Sequence, residues 1–260
     1  MAGNVSEAGT SVTSRALALV AAFDEGHRRL TLSELAARAG LPIATAHRLT
    51  GELVAWGALD RSPSGDYVIG RRLWDLGLLA PVRADLVEVA SPYLHDLYVA
   101  TLATVHLAVR DELEVLYLHR LRGHTCVPIV STVGSRLPLH ATGVGKVLLA
   151  HAPDAVQETV LRAPLARVTT YTVTRPGILR RQLDAVLRDD YATTVEEMSL
   201  GACSVAVPVR REREVVAAIG VVVPRLDGDR RRLVAALQVA SAGIGRALGA
   251  STSLTGSGRA

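Results

Sequence analysis

Residues 31–57 read TLSELAARAGLPIATAHRLTGELVAWG and predict two short helices in direct succession. Thr31 and Glu34 have the spacing of a capping box, which starts a helix, and Gly40 stands where that helix ends. The chain then restarts at Pro42, a residue favoured in the first helical turn. The apolar face of this second helix consists of Ala46, Leu49, Leu53 and Trp56. Two helices joined by so short a glycine-containing turn predict a helix-turn-helix unit.

The flanking residues extend this unit on both sides. Ser11 precedes the amphipathic run VTSRALALVAAF and predicts an additional helix in front of the pair. After the second helix, ALDR at 58–61 and DYVI at 66–69 enclose the turn residues SPSG and predict a β-hairpin. A hairpin in this place is a wing, so we expect a winged helix-turn-helix domain at residues 11–70.

A domain of this kind binds DNA by placing the start of its second helix in the major groove. The outward positions there are Ile43, Ala44, Thr45, His47 and Arg48, and in the wing we expect Arg61 and Tyr67 to contact the DNA backbone. Two alternatives stay open: a winged helix used for protein contacts, and a Tyr67 that packs inside the hairpin. Because residues 1–72 contain eight arginines and seven acidic residues, we expect modest affinity per domain and a dimer on two half-sites.

The composition limits the class of protein. With 260 residues, 49% of them hydrophobic, the chain can bury the cores of two unequal domains. A net charge of +4 is compatible with nucleic-acid contact, whereas the few aromatic residues argue against RNA binding by base stacking. Cys126 and Cys203 are too few for a disulfide framework or a zinc site, which favours a cytoplasmic protein without metal or other cofactor. Neither a signal peptide nor a long apolar run is visible, so we expect no secretion and no membrane span.

The remaining chain predicts a larger domain that mixes helices and strands. Residues 71–90 predict a linker helix broken at Pro81, and Ser91 with Pro92 predicts the start of a separate helix that ends near Thr101. Alternating or apolar runs predict strands at 104–110, 113–120, 124–131, 202–210 and 214–223. Helical periodicity predicts helices at 142–150, 154–162, 176–189 and 227–248, the second with Asp154 and Gln157 as a capping box. We therefore expect an α+β domain at residues 91–250 and disordered ends at 1–10 and 251–260.

The stretch LHATGVGK at residues 139–146 resembles a phosphate-binding loop only in part. A P-loop requires a first glycine five positions before the second and a hydroxyl residue after the lysine. Here His140 and Val147 occupy those positions, which argues against an ATPase. Lys146 is the only lysine among 29 basic residues. Its role is left open between a salt bridge across the domain and a solvent-exposed amine.

An enzyme is the main alternative class. Cys203, His140 and either Glu196 or Glu197 would be the residues of a small cysteine-dependent hydrolase or transferase. Such chemistry needs a thiolate activated by a base within hydrogen-bonding reach, and nothing in the spacing brings these residues together. Cys203 lies in an alternating strand, where a buried and inert cysteine is the ordinary case. We therefore assign no catalytic residues.

Six stretches, in order along about 200 residues, carry a resemblance to a known family: SRALALVAAF, LTLSELAARAGLPIATAHRLTGELVAWGALDR, YVIGRRLWDLG, VHLAVRDELEVLYLHR, VGSRLPLHATGVGKVLLA and EEMSLGACSVAVPV. In these stretches the chain resembles the IclR-type family of bacterial transcriptional regulators. The resemblance implies a winged helix-turn-helix domain, a linker helix, and a C-terminal effector domain of GAF or profilin type with an antiparallel sheet. It also implies homodimers, often dimers of dimers, that bind double-stranded operator DNA and respond to a small metabolite, more often as repressors.

The resemblance also implies which residues meet the metabolite. Carried over to this sequence, they are Leu139, Ala141, Gly143, Val144, Thr194, Glu197, Ser204, Gly220 and Val222. Members that respond to small polar oxo-acids carry more polar residues at the positions of Thr194, Gly220 and Val222. We therefore expect an aromatic or largely apolar acid, or a lactone-like metabolite. Ile43 replaces a polar residue of many members, which removes one expected phosphate contact.

Overall fold

A computed structural model describes residues 11–24, 26–77, 79, 84–124, 127 and 130–256. The chain divides between residues 82 and 83 into two compact units. The predicted disorder of residues 1–10 and the predicted break at Pro81 lie outside the described residues.

The N-terminal unit contains the predicted three helices and the wing. Its elements are α1 (Val12–Ala21), α2 (Leu32–Arg38), α3 (Ile43–Trp56), β1 (Leu59–Arg61), β2 (Tyr67–Ile69) and α4 (Arg71–Gly77). The predicted caps of α1 and α2 are confirmed: Ser11 Oγ accepts from Ser14 N, and Thr31 and Glu34 form a reciprocal capping box. Pro42 precedes α3 as its N-cap instead of starting it, and Gly57 ends it in a left-handed conformation.

The core of this unit sets the direction in which α3 faces. The buried side chains around it are Leu19, Leu30, Leu35, Ala46, Leu49, Leu59 and Tyr67. Ala46 and Leu49 lie one helical turn apart and point inward, so the residues between and before them point to solvent. The first turns of α3 are thereby presented on the surface.

The C-terminal unit is built on a six-stranded antiparallel sheet and confirms the predicted α+β class. Its elements are α5 (Ala84–Thr101), β3 (Thr104–Asp111), β4 (Glu114–Leu121), β5 (Arg136–Pro138), α6 (Gly143–Ala150), α7 (Asp154–Arg162), α8 (Pro176–Asp189), β6 (Ala192–Val195), β7 (Cys203–Arg211), β8 (Glu214–Val223) and α9 (Arg230–Gly256). The strand order is β5-β4-β3-β8-β7-β6. One face of the sheet packs against α5 and α9, and the other packs against α6, α7 and α8.

The predicted start of a new helix at Ser91 is wrong, because α5 runs without interruption through Pro92. Proline removes one backbone donor from a helix, and the burial of one face can offset that loss. The inward face of α5 consists of Leu86, Ala90, Leu94 and Leu97, all buried against the sheet. The first turns of α5 therefore belong to the C-terminal core, and the predicted linker helix over 71–90 is not one element.

Three further details differ from the sequence-based expectation. None of the described residues within 124–131 is in a strand; the short strand β5 pairs with β4 instead, and β6 was not predicted. The capping box at α7 is absent, since Pro153 is the N-cap and Gln157 donates to the carbonyls of Ala150 and Ala152. Finally, α9 continues to Gly256, so the tail predicted to be disordered is helical as far as it is described.

The helix α9 is long and apolar enough, by length and composition alone, to cross a membrane over Arg230–Ala250. Its inner residues Leu233, Leu237 and Ile244 are buried in the same core as α5. A core helix passes such a test because one face is fully apolar. The hydropathy of α9 thus follows from its packing on the sheet.

Candidate functional site

A cavity of about 60 Å³ lies in the C-terminal unit, between the sheet and the start of α6. This is room for several water molecules. Its floor comes from β7 and β8, and its roof from Thr142, Gly143 and Val144 at the start of α6. One side comes from Met198, Ser199 and Ala202. The remaining side includes His106 of β3 and Tyr117 of β4.

The register of the sheet explains which side chains reach the cavity. Alternate residues of a strand share one face, and paired residues of neighbouring strands lie side by side. One row across this face contains Thr194, Ser204, Val222 and Thr104, and the next row contains Ala206, Gly220 and His106. The intervening residues Val205, Ile219 and Val221 belong to the core on the opposite face. This face of the four strands is therefore a continuous patch, and the residues of it that line the cavity are Thr194, Ser204, Ala206, Gly220, Val222 and His106.

The start of α6 presents backbone donors to the cavity. Thr142 is the N-cap, and its Oγ1 accepts from Gly145 N at 3.1 Å. In the described structure no hydrogen bond uses the N–H groups of Gly143 and Val144, which are the first two of the helix. Free amides at the positive end of a helix dipole stabilise a carboxylate.

The glycines of the loop are required by close packing. A Cβ atom on Gly145 would lie 2.4 Å from the carbonyl oxygen of Leu139, and one on Gly143 would lie 2.5 Å from Ser204 Oγ. Neither distance is sterically possible without movement of the neighbours. Gly143 therefore brings the helix start directly onto β7, where the cavity lies, and Gly145 lets the loop pack closely against the helix that follows it.

The cavity wall combines one hydroxyl pair with apolar surface. Thr194 Oγ1 and Ser204 Oγ lie 2.6 Å apart on adjacent strands, below the start of α6. The apolar lining includes Leu137, Val144, Ala206 and Val222. No aspartate, glutamate, lysine or arginine is among the described residues that line the cavity. A bound anion would thus be held by backbone amides and hydroxyl groups.

His106 and Tyr117 are the two titratable rings of the cavity, and they meet edge to face with centroids 5.1 Å apart. Burial lowers the pKa of His106 to about 3, with a smaller contribution from the positive charge of Arg120. Burial raises the pKa of Tyr117 above its usual value, although a hydrogen bond with Thr142 opposes this shift. Both side chains are therefore neutral at physiological pH.

Six of the nine residues carried over from the family resemblance line the cavity: Gly143, Val144, Thr194, Ser204, Gly220 and Val222. The other three do not line it. Leu139 and Ala141 are buried in the core beneath α6, and Glu197 is held by Lys146. Their side chains are used in packing and in an ion pair, and the structure does not bring them to the cavity.

Sequence reasoning missed several lining residues, including His106, Tyr117, Ser131, Met198 and Ser199. For His106 a signal was present: in TVHLAVR it alternates with Val105 and Leu107, so it lies on the opposite face of the strand. The other residues reach the cavity through strand pairing and loop conformation, which no local pattern encodes.

The alternative of a cysteine-dependent enzyme finds no support in the hydrogen bonds. The Cys203 thiol lies 3.7 Å from the carbonyl oxygen of Pro224, and burial raises its pKa. His140 Nε2 lies 3.0 Å from the carbonyl oxygen of Ala166. No hydrogen bond in the described part of the chain joins Cys203 to His140, Glu196 or Glu197 side chains. These residues do not form a nucleophile and base pair.

The described residues contain no group of three or more histidine, cysteine, aspartate or glutamate side chains that could hold a metal ion.

The second candidate site is the surface of α3. Ile43, Ala44, His47 and Arg48 are exposed, and Thr45 is half-buried. Arg48 Nη1 donates to Glu52 Oε1 at 2.7 Å across one turn, and both side chains are more than half exposed. An exposed pair of this kind is held by little free energy, so the guanidinium can exchange to another anion.

In the wing, the two predicted residues differ. Arg61 is exposed, donates to the carbonyl oxygen of Gly65 and lies over the Tyr67 ring at 5.8 Å. Tyr67 is only 6% exposed and belongs to the core of the unit. Its burial favours the alternative in which it packs inside the hairpin.

Two family models match this chain and together cover most of it. The model described as "IclR helix-turn-helix domain" matches residues 12–63. The model described as "Bacterial transcriptional regulator IclR C-terminal" matches residues 80–246. The first range contains α1 to α3 and β1, and the second contains the whole sheet and the cavity.

Solved structures and characterised relatives agree with these matches. An IclR homologue from Microbacterium hydrocarbonoxydans, crystallised in complex with 4-hydroxybenzoate, is 37% identical, with a TM-score of 0.87 over 92% of this chain and 100% of that one. The glycerol operon regulatory protein of Streptomyces coelicolor is 35% identical over 91% of this chain and 95% of its own length. The p-hydroxybenzoate hydroxylase transcriptional activator of Acinetobacter baylyi is 34% identical over 75% of this chain and 74% of its own.

Proposed function

The chain belongs to the IclR family of DNA-binding transcriptional regulators, and we propose that it senses an aromatic or otherwise largely apolar organic acid in the cavity beneath α6. The observation that carries this proposal is the cavity itself. Two unused amides, of Gly143 and Val144, and the Thr194 and Ser204 hydroxyls face a space with apolar walls. This combination suits one carboxylate attached to an apolar body. The homologue crystallised with 4-hydroxybenzoate supports this class of compound, as does the relative named as the transcriptional activator of p-hydroxybenzoate hydroxylase.

Calorimetric titration and thermal unfolding with 4-hydroxybenzoate test the placement. We expect saturable binding and a rise in Tm that disappears in Ser204→Leu, because the larger side chain fills the space below Gly143. Ser64→Leu, at an exposed position of the wing, is the matched control and should keep the shift. Stabilisation that persists unchanged in Ser204→Leu would place the acid elsewhere.

For DNA, we propose that Ile43, Ala44, Thr45, His47 and Arg48 enter the major groove and that Arg61 contacts the backbone. We further propose repression: the acid weakens operator binding. The operator duplex is obtained by selection of bound sequences from a random library with this protein. Fluorescence anisotropy with the selected duplex should then show weaker binding when 4-hydroxybenzoate is added. Tighter operator binding in the presence of the acid would contradict the proposal that the acid relieves repression.

We also propose that the protein acts in the cytoplasm as a homodimer, or as a dimer of dimers, on paired half-sites. Exposed apolar side chains of the N-terminal unit, namely Leu17, Trp74 and Leu76, support an assembled state, since such surface is costly in water. Light scattering coupled to gel filtration should give a mass of two or four chains. A single-chain mass over the concentrations at which operator binds would contradict it.

A further inference from the structure

The cavity has a second polar group besides the Thr194 and Ser204 hydroxyls. His106 Nε2 and Ser131 Oγ lie 2.9 Å apart, and both residues are buried and line the cavity. Ser131 is held in place through its backbone, since its carbonyl oxygen accepts from Arg120 Nη1 at 2.6 Å. A buried polar pair fixed from two directions is a defined binding feature and not a mobile surface group.

The register gives the separation of Ser204 and His106, each of which belongs to one of the two polar pairs. From Ser204 to Thr104 is two strands across the sheet, and His106 is two residues further along β3. With the usual spacing of antiparallel strands, Ser204 and His106 are roughly 12 Å apart between Cα atoms. The side chains of both residues point into the same cavity, and the floor between them is formed by Ala206, Gly220 and Val222. One aromatic ring with polar substituents at opposite ends fits this arrangement.

The Ser131 hydroxyl keeps hydrogen-bonding capacity toward the cavity. A hydroxyl group has one donor and two acceptor positions. If it donates to His106 Nε2, its lone pairs accept from a ligand; if the imidazole N–H donates to it, its own hydrogen is free to donate. Because burial keeps His106 uncharged, with a pKa of about 3, the pair matches a neutral hydroxyl group better than a second carboxylate.

We propose that Ser131, positioned by His106, hydrogen-bonds a hydroxyl group opposite the carboxylate of the effector, so that the protein selects a para-hydroxylated aromatic acid over the unsubstituted acid. This inference rests on the proposed function, since the carboxylate must lie at the start of α6. The selectivity arises because the para-hydroxyl group gains a hydrogen bond to Ser131 that the unsubstituted acid cannot make, while the Ser131 hydroxyl keeps its bond to His106 in both complexes.

The test compares the affinities of benzoate, 3-hydroxybenzoate and 4-hydroxybenzoate by calorimetric titration. In the unmodified protein, 4-hydroxybenzoate should bind roughly fivefold to tenfold more tightly than either other acid, the size of one net hydrogen bond. In Ser131→Ala the ratio of 4-hydroxybenzoate to benzoate affinity should fall below about twofold. The affinity for benzoate itself should stay within about twofold of that of the unmodified protein. His106→Gln can still hydrogen-bond Ser131, so this variant should retain part of the preference for 4-hydroxybenzoate over benzoate.

Ser135→Ala is the matched control. Its hydroxyl makes two hydrogen bonds with the Thr132 backbone in the same segment, but Ser135 does not line the cavity, so the ratio should be unchanged. Equal affinities for benzoate and 4-hydroxybenzoate in the unmodified protein, or a ratio that survives Ser131→Ala, overturn this inference and leave the acid site intact. Binding of none of the three acids overturns the proposed effector class, and this inference with it.

Discussion

Lys146 Nζ lies 2.5 Å from Glu197 Oε1, and the two side chains are only 1% and 7% exposed. The pair ties the first turn of α6 to the segment that follows β6, fifty-one residues further along the chain. Thr172 Oγ1 donates to the carbonyl oxygen of Glu197, which also holds this segment in place. Lys146 is therefore a structural residue behind the cavity, although its glycine-rich surroundings resemble a phosphate-binding loop.

Breaking the Lys146–Glu197 pair should lower the free energy of unfolding. Glu197→Gln leaves Lys146 buried beside a neutral amide, and removal of one partner from a buried ion pair typically costs about 3 to 5 kcal/mol. Urea unfolding measures the loss. Glu52→Gln breaks an exposed pair with Arg48 and should cost less than about 1 kcal/mol. A Lys146→Met/Glu197→Leu double variant should lose less than Glu197→Gln, since it leaves no unpaired charge.

The deficit of Glu197→Gln should also depend on pH. Burial lowers the pKa of Lys146 below its usual value, and the Glu197 carboxylate opposes that shift. Without the carboxylate the amine in the folded variant loses its proton at a lower pH than in the unfolded chain. The unfolded chain then binds more protons, so the stability of the variant rises with pH toward that of the unmodified protein. A deficit that is constant from pH 7 to pH 9.5 would contradict this account.

His106 should make folding sensitive to acid. Its pKa is about 3 in the folded protein, against the 6.5 of a solvated histidine, so below pH 6.5 the unfolded chain takes up a proton that the folded chain does not. Stability contributed by the neutral ring is present above pH 6.5 and is lost as pH falls toward 3. Between pH 7.5 and pH 5 the loss is about 2 kcal/mol. Urea unfolding should show that His106→Gln loses less stability between pH 7.5 and pH 5 than the unmodified protein does. His47→Gln, on the exposed face of α3, should lose as much as the unmodified protein.

Local sequence signals were sufficient to predict the helices and strands that are set by neighbouring residues. Ser11, Thr31 and Thr142 each satisfy a backbone amide of the helix that they precede. Gly57 ends α3 because it adopts a φ of 86° without steric cost. These signals predicted the helix-turn-helix, and the alternating runs predicted the two long hairpins of the sheet.

Features set by distant residues were not predictable in this way. Pro92 continues a helix because the sheet buries that helix's inner face, a tertiary effect that overrides local propensity. The four-residue strand β6 is too short for a period to be visible. The Ser131 contact with His106 and the Lys146 contact with Glu197 join positions 25 and 51 residues apart, and only the fold brings them together.

Gly145 should tolerate no side chain. In Gly145→Ala the added methyl group would lie 2.4 Å from both Leu139 O and Thr142 Oγ1, of which the first is backbone. Overpacking of this kind costs about 1 to 3 kcal/mol, measured as a fall in the urea midpoint. Gly177→Ala, near the start of α8, meets no atom within 4 Å and should be neutral or slightly stabilising. Equal midpoints for the two variants would show that the loop can adjust around the added methyl group.

The loss of operator affinity in Arg48→Ala should show whether Arg48 contacts a base or a phosphate. Arg48→Ala is expected to weaken binding to the selected duplex by roughly 1 to 3 kcal/mol if the guanidinium reads a guanine, and to leave binding to random duplex little changed. If the contact is with a phosphate, both duplexes should lose affinity and the salt dependence should fall by about one unit of slope. Fluorescence anisotropy at several salt concentrations separates the two cases.

Glu52 and Arg188 supply the controls for that measurement. In Glu52→Gln the Arg48 guanidinium loses its intrahelical partner and remains on the exposed face of α3, so operator affinity should be maintained or increased. Arg188→Ala removes the same charge from an exposed position of α8, outside the helix-turn-helix domain, and should leave affinity within about twofold. Operator binding that is unchanged in Arg48→Ala, or weakened equally in Arg188→Ala, would show that Arg48 makes no specific contact and that α3 reads DNA through its other exposed residues.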